Sequence, residues 1–184
     1  MGKLKLQVQI SMDGFIAGPA GEMDWLQMDW DQALKDYIAR LTENVDRILL
    51  GRKLAEGFIP HWSGHPEEEG AAFINNTKKV VFSHTLKESK WDNTVVENGD
   101  LATAVRELKK QADKDLLVYG GAGFVNSLIR ESLIDEFHLL VNATILGKGL
   151  SVFDGNKKTQ QLKLVETIPF ECGIALLRFD KRDS

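Results

Sequence analysis

Three short segments of the chain carry residue types that suit a phosphate. Each follows a run of apolar residues, as at the end of a β-strand, and two of them lead into a helical pattern. Glycines let a ligand approach the backbone, and the first turn of a helix offers unpaired N–H groups with a partial positive charge. The three segments are Gly51-Arg52-Lys53, Ser83-His84 and Gly120-Gly121-Ala122-Gly123.

The glycine segment at 120–123 departs from two common phosphate motifs. Asn126 stands where G-x-G-x-x-G needs its third glycine, and no Gly-Lys-Ser/Thr triplet occurs. A diphosphate cradle and an ordinary strand-to-helix turn therefore both stay open. Arg52 and Lys53 are unfavourable at a helix N-terminus unless an anion or solvent offsets their charge. Ligands of open α/β sheets bind beyond the carboxyl ends of the strands, where we expect all three segments to lie. One anionic ligand that contacts all three would be a dinucleotide. It would carry an extra phosphate, since Arg and Lys have no use against a bare ribose hydroxyl.

The loop after the first predicted strand is another candidate ligand site. Turn-forming residues dominate from Ser11 to Pro19 and include Asp13-Gly14, which leaves backbone amides and carbonyls free for a ligand. Trp25 follows shortly after this loop. Its position makes it a candidate platform for a flat ligand, with a place in the core or in a lid as the alternative.

Two histidines are spaced like metal ligands, but the sequence predicts no metal site. His61 and His65 stand four residues apart, while Gly64 and Pro66 disfavour a continuous helix between them, and no H-E-x-x-H motif is present. We expect residues 59–66 to form a surface loop, and Pro66 with the acids at 67–69 suits the first turn of a new helix. A metal-dependent hydrolase that uses the two histidines is kept as a third hypothesis.

Composition limits the classes of function. The 184 residues suit one domain, 1–184, with 43% hydrophobic and 27% charged residues. A net charge of -4 offers no long-range attraction to nucleic acid or to an anionic membrane. Cys172 is the only cysteine, which excludes an intrachain disulfide, and neither a signal peptide nor a membrane span is recognisable. We expect a soluble cytoplasmic protein that binds neither nucleic acid nor membrane.

Hydrophobic periodicity predicts alternating strands and helices. Residues 4–10 alternate apolar and polar side chains, and Asp29 or Asp31 is suited to cap the helix that follows. A helix over about 101–112 leads into the strand before the glycine segment, so the unit is β-α-β and its strands are parallel. The remaining predicted strands lie near 47–50, 79–82, 94–96 and 134–141, and a terminal β-hairpin spans 162–179.

Taken together, these segments resemble the dihydrofolate reductase-like superfamily. Within it they are most similar to the C-terminal reductase domain of the bacterial bifunctional enzyme of riboflavin synthesis. The matching elements occur in the family's order over nearly the whole chain. They are Ser11-Met12-Asp13-Gly14-Phe15-Ile16-Ala17, Leu50-Gly51-Arg52, Ser83, Val118-Tyr119-Gly120-Gly121-Ala122-Gly123, and Ile145-Leu146-Gly147-Lys148-Gly149-Leu150-Ser151-Val152-Phe153.

The resemblance implies an α/β fold of three layers, in which a mixed, mostly parallel sheet has flanking helices and a C-terminal antiparallel hairpin. It also implies bound NADPH and a homodimer. Ile16 and Ala17 would lie against the nicotinamide, and Gln9, Asp13 and Trp25 would contact a flat heterocyclic substrate. The phosphates and adenosine would contact Gly51, Arg52, Lys53, Ser83, Gly120, Gly121, Ala122, Gly123, Phe124 and Val125.

The resemblance favours the riboflavin-pathway branch over folate reduction. A dihydrofolate reductase needs a carboxylate on the early helix, where rough registration places Lys35 or Asp36, and a hydroxyl where Leu140 stands. Asp13 and Asp36 are the candidates for proton handling or substrate orientation. The predicted function is NADPH-dependent hydride transfer to a pyrimidine- or pteridine-like substrate, such as 5-amino-6-(5-phosphoribosylamino)uracil. The alternative is a non-enzymatic NADP(H)-binding or sensor protein.

Overall fold

A computed structural model describes residues 1–156 and 158–182. Its strands are β1 (Leu4–Ser11), β2 (Phe15–Ala17), β3 (Val45–Gly51), β4 (Lys78–Phe82), β5 (Thr94–Glu97), β6 (Asp115–Val118), β7 (Glu136–Asn142), β8 (Leu150–Ser151), β9 (Leu162–Pro169) and β10 (Ile174–Lys181). Its helices are α1 (Gln32–Glu43), α2 (Arg52–Gly64), α3 (Ala71–Asn76), α4 (Leu101–Gln111) and α5 (Ala122–Arg130).

Eight strands form one sheet in the order β5-β4-β3-β6-β1-β7-β10-β9. The strands from β5 to β7 are parallel, and β10 runs antiparallel to both β7 and β9. A second, two-stranded sheet pairs β2 with β8. The mostly parallel sheet and the C-terminal hairpin predicted from the sequence are confirmed, whereas the small sheet was missed because its strands have only three and two residues.

The two faces of the sheet are covered differently. On one face, the apolar side of β1 packs with residues of α4 and α5, such as Val105 and Leu128. On the other face, α1 packs against β7 and β10, while α2 and α3 pack against β3 and β4. Since β6 and β1 lie between those two strand pairs, they lie between α1 and α2 on that face.

Helix α1 is fixed at its start by a side-chain cap. Of the two predicted caps, Asp31 occupies the position: its carboxylate accepts the N–H of Leu34 at 2.9 Å. The same carboxylate accepts the N–H of Cys172 at 2.9 Å, which ties the helix start to the turn between β9 and β10. Because one side chain serves both elements, the position of α1 along the sheet is determined by that turn.

A buried polar chain joins α1 to β7. Burial raises the pKa of Tyr37 to about 12, so its hydroxyl keeps its proton, and it lies 2.6 Å from His138 Nδ1. The carboxylate of Glu136 on the other side of the ring only accepts, so the neutral imidazole carries its proton on Nε2 and Nδ1 accepts from Tyr37. The opposite ring nitrogen, Nε2, then donates to Glu136 at 3.2 Å. His138 is therefore a buried core histidine with both ring nitrogens hydrogen-bonded.

Glu136 ends this chain of hydrogen bonds and is held ionised. Its side chain is 6% exposed and lies 2.7 Å from Lys3 Nζ and 3.6 Å from Arg178. The hydrogen bond from His138, followed by that from Lys3 and the charge of Arg178, lowers the pKa of Glu136 to about 2 despite its burial. The ionised carboxylate therefore stabilises the folded state at neutral pH.

Two predictions about residues 59–76 were wrong. Residues 59–64 are helical, because α2 continues through Pro60 while Ile59 and Trp62 pack against the core. The proline removes one helical hydrogen bond, but apolar burial compensates for that loss. The acids at 67–69 precede the next helix and do not form its first turn, since α3 begins at Ala71 after Gly70 with φ of 91°.

We predict that the stability contributed by Glu136 depends on pH. Its pKa is lower in the folded state than the ordinary 4.5, so the contribution is complete above that value and is lost as the pH falls toward 2. The free-energy difference between wild type and Glu136→Gln should shrink by about 3 kcal/mol over this interval in denaturant titrations. Glu131→Gln, at an exposed position, is the matched control. A difference that does not change with pH would contradict the assignment.

Candidate functional site

The three predicted phosphate segments lie at neighbouring strand ends. Strands β4, β3 and β6 are adjacent and parallel, so Ser83, Gly51 and the 120–123 segment follow them at the same edge of the sheet. The next strands, β1 and β7, bring Ser11 and Asn142 to this edge as well. We refer to it as the carboxyl edge.

Two helices begin side by side at the carboxyl edge. Helix α2 is capped by Gly51 and α5 by Gly121, neither cap makes a side-chain hydrogen bond, and neither first turn contains an acid. The helix starts are close because Gly51 packs on Phe124: a Cβ at Gly51 would lie 2.8 Å from the Cβ of Phe124. Two sets of N–H groups and two positive dipole ends are therefore available to one anion.

The glycine segment leaves its backbone accessible. Gly121 has a φ of +82°, a conformation that side chains disfavour. A Cβ at Gly120 or Gly123 would meet no atom within 4 Å. The chain thus has free space beside these two backbone positions, as an approaching diphosphate requires, and the residues present fit such a group.

The two residues after Gly120-Gly121-Ala122-Gly123 mainly serve packing. Val125 is fully buried in the core. The ring of Phe124 lies 5.2 Å from that of Phe82, centroid to centroid. Their predicted contact with a cofactor stays a prediction, and their observed role is to hold the start of α5 against β3 and β4.

The predicted cations occupy the first turn of α2. Arg52 lies 2.7 Å from Glu56 one turn later, and its side chain is 35% exposed, so the guanidinium can turn toward a ligand. Lys53 is exposed. Ser83 is buried, and its hydroxyl accepts the N–H groups of Thr85 and Leu86 at 3.1 and 3.0 Å. Ser83 therefore shapes the turn, and its contact with a cofactor stays a prediction.

Asp13 ties the first loop to the loop after β7. Its carboxylate accepts the hydroxyl of Ser11 at 2.7 Å and the N–H groups of Leu146 and Gly147 at 3.1 and 2.7 Å. The Ser11 hydrogen bond, with support from the two backbone N–H groups, lowers the pKa of Asp13. This geometry favours a positioning role, because a carboxylate held ionised at neutral pH is a poor proton donor.

Ile16 and Ala17 follow Asp13 in the same loop. They belong to β2, which pairs with β8, so the first loop has a short strand at its far side. Gly149 packs directly against the carbonyl of Ala17, where a Cβ would collide. Two independent contacts thus hold the first loop against the segment from Leu146 to Ser151.

Asp36 and Trp25 each form a hydrogen bond with a residue close by in the chain. Asp36 is exposed on the side of α1 away from the buried Leu34 and Tyr37, and it accepts a hydrogen bond from Gln32. The geometry therefore gives no support to its predicted catalytic role. Trp25 is partly buried, and its Nε1 donates to the carbonyl of Glu22 at 3.1 Å. Its contact with a substrate stays a prediction.

Amide side chains form the floor between α1 and α2. Gln9 lies on the face of β1 opposite to the apolar row of that strand, and its Oε1 accepts from Asn142 Nδ2 at 3.2 Å. Asn142 is buried and also accepts the N–H of Gln27 at 2.9 Å, so it joins β1, β7 and the loop before α1. Gln7, two residues before Gln9, is 7% exposed, and its Oε1 is buried without a hydrogen-bond partner among the described residues.

Sequence reasoning missed Gln7 and Asn142. The period of two along β1 places Gln7 on the same face as Gln9, so the pattern contained the signal. Asn142 could not be found in this way, because its role depends on the pairing of β7 with β1. An orphaned buried acceptor such as Gln7 Oε1 is unfavourable in a closed core and would be satisfied by a ligand N–H.

An open groove lies on the opposite face of the sheet. It has a volume of about 1200 Å³ and is lined by the start of α4, the end of α5 and the segment before β9. Among the predicted site residues, only His84 of the Ser83-His84 segment lines it. The chemistry of the carboxyl edge, and not cavity size, identifies the candidate site.

The order of these elements is that of a known family. The family model described as the RibD C-terminal domain matches residues 2–176. The chain belongs to this family. YyaP of Bacillus subtilis is 34% identical over 176 residues, which cover 94% of this chain and 91% of YyaP. The riboflavin biosynthesis protein RibD of Corynebacterium ammoniagenes is 24% identical over 157 residues, 77% of this chain and 43% of that protein.

Solved structures confirm the fold. The deaminase/5-amino-6-(5-phosphoribosylamino)uracil reductase of Thermotoga maritima matches with a TM-score of 0.72 and 18% identity, over 98% of this chain and 57% of that one. The dihydrofolate reductase of Enterococcus faecalis, solved with NADP(H), matches with a TM-score of 0.66 and 15% identity over 99% and 98%. These matches confirm the dihydrofolate reductase-like fold that the resemblance in the sequence implied.

No helix within residues 1–156 and 158–182 has the length and apolar character needed to cross a bilayer.

Proposed function

We propose that the protein is an NADPH-dependent reductase that transfers a hydride to a substrate with a pyrimidine- or pteridine-like heterocycle. The observation that carries the proposal is the pair of helix starts at Gly51 and Gly121 that no side chain caps, with Arg52 and Lys53 in the first turn of α2. Membership of the RibD C-terminal domain family supports it, as does the fold shared with a dihydrofolate reductase solved with NADP(H). The first substrate to test is 5-amino-6-(5-phosphoribosylamino)uracil.

The backbone of the carboxyl edge would hold the diphosphate. N–H groups at the starts of α2 and α5 would bind its oxygens, with the open faces of Gly120 and Gly123 allowing close approach. Arg52 and Lys53 would bind an adenosine 2′-phosphate, which distinguishes NADPH from NADH. When bound, the nicotinamide supplies the hydride, and Ile16 and Ala17 of the tied first loop would set its position.

The heterocycle would lie over the amide floor between α1 and α2. Gln9 and Gln7 carry both donors and acceptors, and pyrimidine and pteridine rings present both along their edges. The unpartnered Oε1 of Gln7 would accept one ring or exocyclic N–H. A site that must satisfy buried amides discriminates strongly against a ligand that lacks the complementary groups.

The Arg52 side chain tests the preference for NADPH. We expect Arg52→Ala to weaken NADPH binding by about tenfold or more, since it removes a charge-assisted hydrogen bond, and to leave NADH binding nearly unchanged. Fluorescence titration with each nucleotide measures both affinities. Arg106→Ala, which removes an equal charge from an exposed position on α4, is the control. Equal losses for the two nucleotides would rule out the 2′-phosphate contact.

The open glycines test the cradle separately from stability. Gly123→Ala introduces no contact within 4 Å and adds a better helix former, so the melting temperature should stay constant or rise. NADPH affinity should fall, because the new methyl group occupies the space needed by the diphosphate. Gly57→Ala, an equally open helical position in α2, should leave the affinity unchanged. If Gly123→Ala binds NADPH as tightly as wild type, the diphosphate lies elsewhere.

Turnover separates the reductase from a binding protein. We expect the protein to oxidise NADPH when it is given 5-amino-6-(5-phosphoribosylamino)uracil or related pyrimidines and pteridines. The loss of absorbance of the reduced nicotinamide measures this oxidation. Tight NADPH binding without oxidation across this panel would favour the sensor alternative. Failure to bind NADPH would overturn the proposal as a whole. The homodimer expected from the resemblance stays a prediction, to be measured by sedimentation.

A further inference from the structure

The C-terminal end of α2 gathers three potential metal ligands. His61 lies in the last turn of the helix, His65 is its C-cap, and the chain then turns so that Glu68 faces His61. The His61 Nε2 to Glu68 Oε2 distance is 3.1 Å, and the two imidazole rings lie 4.7 Å apart, centroid to centroid. This cluster exists because α2 continues through Pro60 and Gly64, which the sequence patterns disfavoured.

The spacing suits one small ion. One ligand atom from each of the three side chains lies within 4.8 Å of the other two. Zinc binds histidine nitrogen and carboxylate oxygen at about 2.0–2.2 Å, so tetrahedral ligand atoms are separated by roughly 3–4 Å. Small rotamer changes of exposed side chains cover the difference, and the backbone need not move.

The hydrogen bonds prepare His65 for a metal. Its Nδ1 lies 2.8 Å from the backbone carbonyl of His61. A carbonyl only accepts, so Nδ1 carries the proton and Nε2 presents its lone pair. A backbone carbonyl on the distal ring nitrogen is one of the usual outer contacts of metal-binding histidines, where it fixes the tautomer and ring orientation.

The surrounding charge also favours a cation. The end of a helix carries a partial negative charge, and unpaired carbonyls lie there. Glu67 and Glu69 flank Glu68, and Glu69 already attracts a cation, since it lies 2.9 Å from Lys35 Nζ. His61 and Glu68 have side chains that are 48% and 40% exposed, so a hydrated ion can reach them.

We propose that His61, His65 and Glu68 bind a divalent transition-metal ion of the zinc class, with water at the fourth position. Two imidazoles and one carboxylate form a known zinc ligand set. The ion would fasten the turn at 65–70 to the end of α2. The site is separate from the carboxyl edge, because the 13 residues of α2 span about 20 Å from the Gly51 end. The proposal therefore does not depend on the reductase activity.

Metal titration of the chelator-treated full chain tests this site. We expect calorimetry with Zn²⁺ alone to show one equivalent bound, and Co²⁺ to give visible bands of low-coordinate nitrogen and oxygen ligation. His61→Ala and His65→Ala should each lower the affinity at least about tenfold, as should Glu68→Gln.

Matched controls make the test specific. His84→Ala removes the other exposed histidine, and Glu67→Gln removes an equal charge beside Glu68; both should bind zinc as wild type does. Zinc should raise the melting temperature of wild type but not that of His61→Ala, by mass action. No stoichiometric binding, or binding that His61→Ala and His65→Ala leave unchanged, would overturn the proposal.

Discussion

The close contact between the end of β3 and the start of α5 determines the geometry of the candidate site. Only glycine fits at position 51, because a Cβ there would lie 2.8 Å from the Cβ of Phe124. Since β3 and β6 are neighbours, this contact places the starts of α2 and α5 together. Their partial positive charges then act on the same short stretch of the carboxyl edge, and on the proposed function they would let a chain without the usual glycine motif bind a phosphate.

A second constraint fixes the width of the space between α1 and α2. Helix α2 follows directly from β3, but α1 is held by polar contacts: Asp31 to the turn before β10, and Tyr37 to His138 of β7. These contacts are directional, whereas apolar packing alone tolerates sliding of a helix. The amide floor under this space, formed by Gln7, Gln9 and Asn142, therefore lies at a fixed distance from α1, which would cover a substrate.

Much of the fold could be predicted from the sequence because its patterns are local. The alternation along β1, the strand before Gly120 and the terminal hairpin all depend on neighbouring residues, and all were found. The glycine and cation segments were placed at one edge by a general property of parallel sheets, which the strand order confirms. The continuation of α2 through Pro60 was missed because burial of Ile59 and Trp62, a tertiary effect, outweighs the local penalty of proline.

The candidate site was less predictable for a similar reason. Asp13 was chosen as a proton-handling group from its place in the motif, yet its partners, Leu146 and Gly147, lie far away in the chain. Sequence shows that a carboxylate is present, but only the fold shows which N–H groups it accepts. The same holds for Glu68, whose distance from His61 depends on the turn at 65–70.

The character of the floor bears on the proposed chemistry. Reduction of the substrate requires a proton as well as a hydride. Gln7, Gln9 and Asn142 are amides, which hold a ring in place but do not transfer protons at neutral pH. Asp13, held ionised by its hydrogen bonds, is unsuited to donate one. On the proposed function this arrangement favours water as the proton source, with the chain supplying orientation, so the fixed spacing between the first loop and the amide floor would carry most of the catalytic effect.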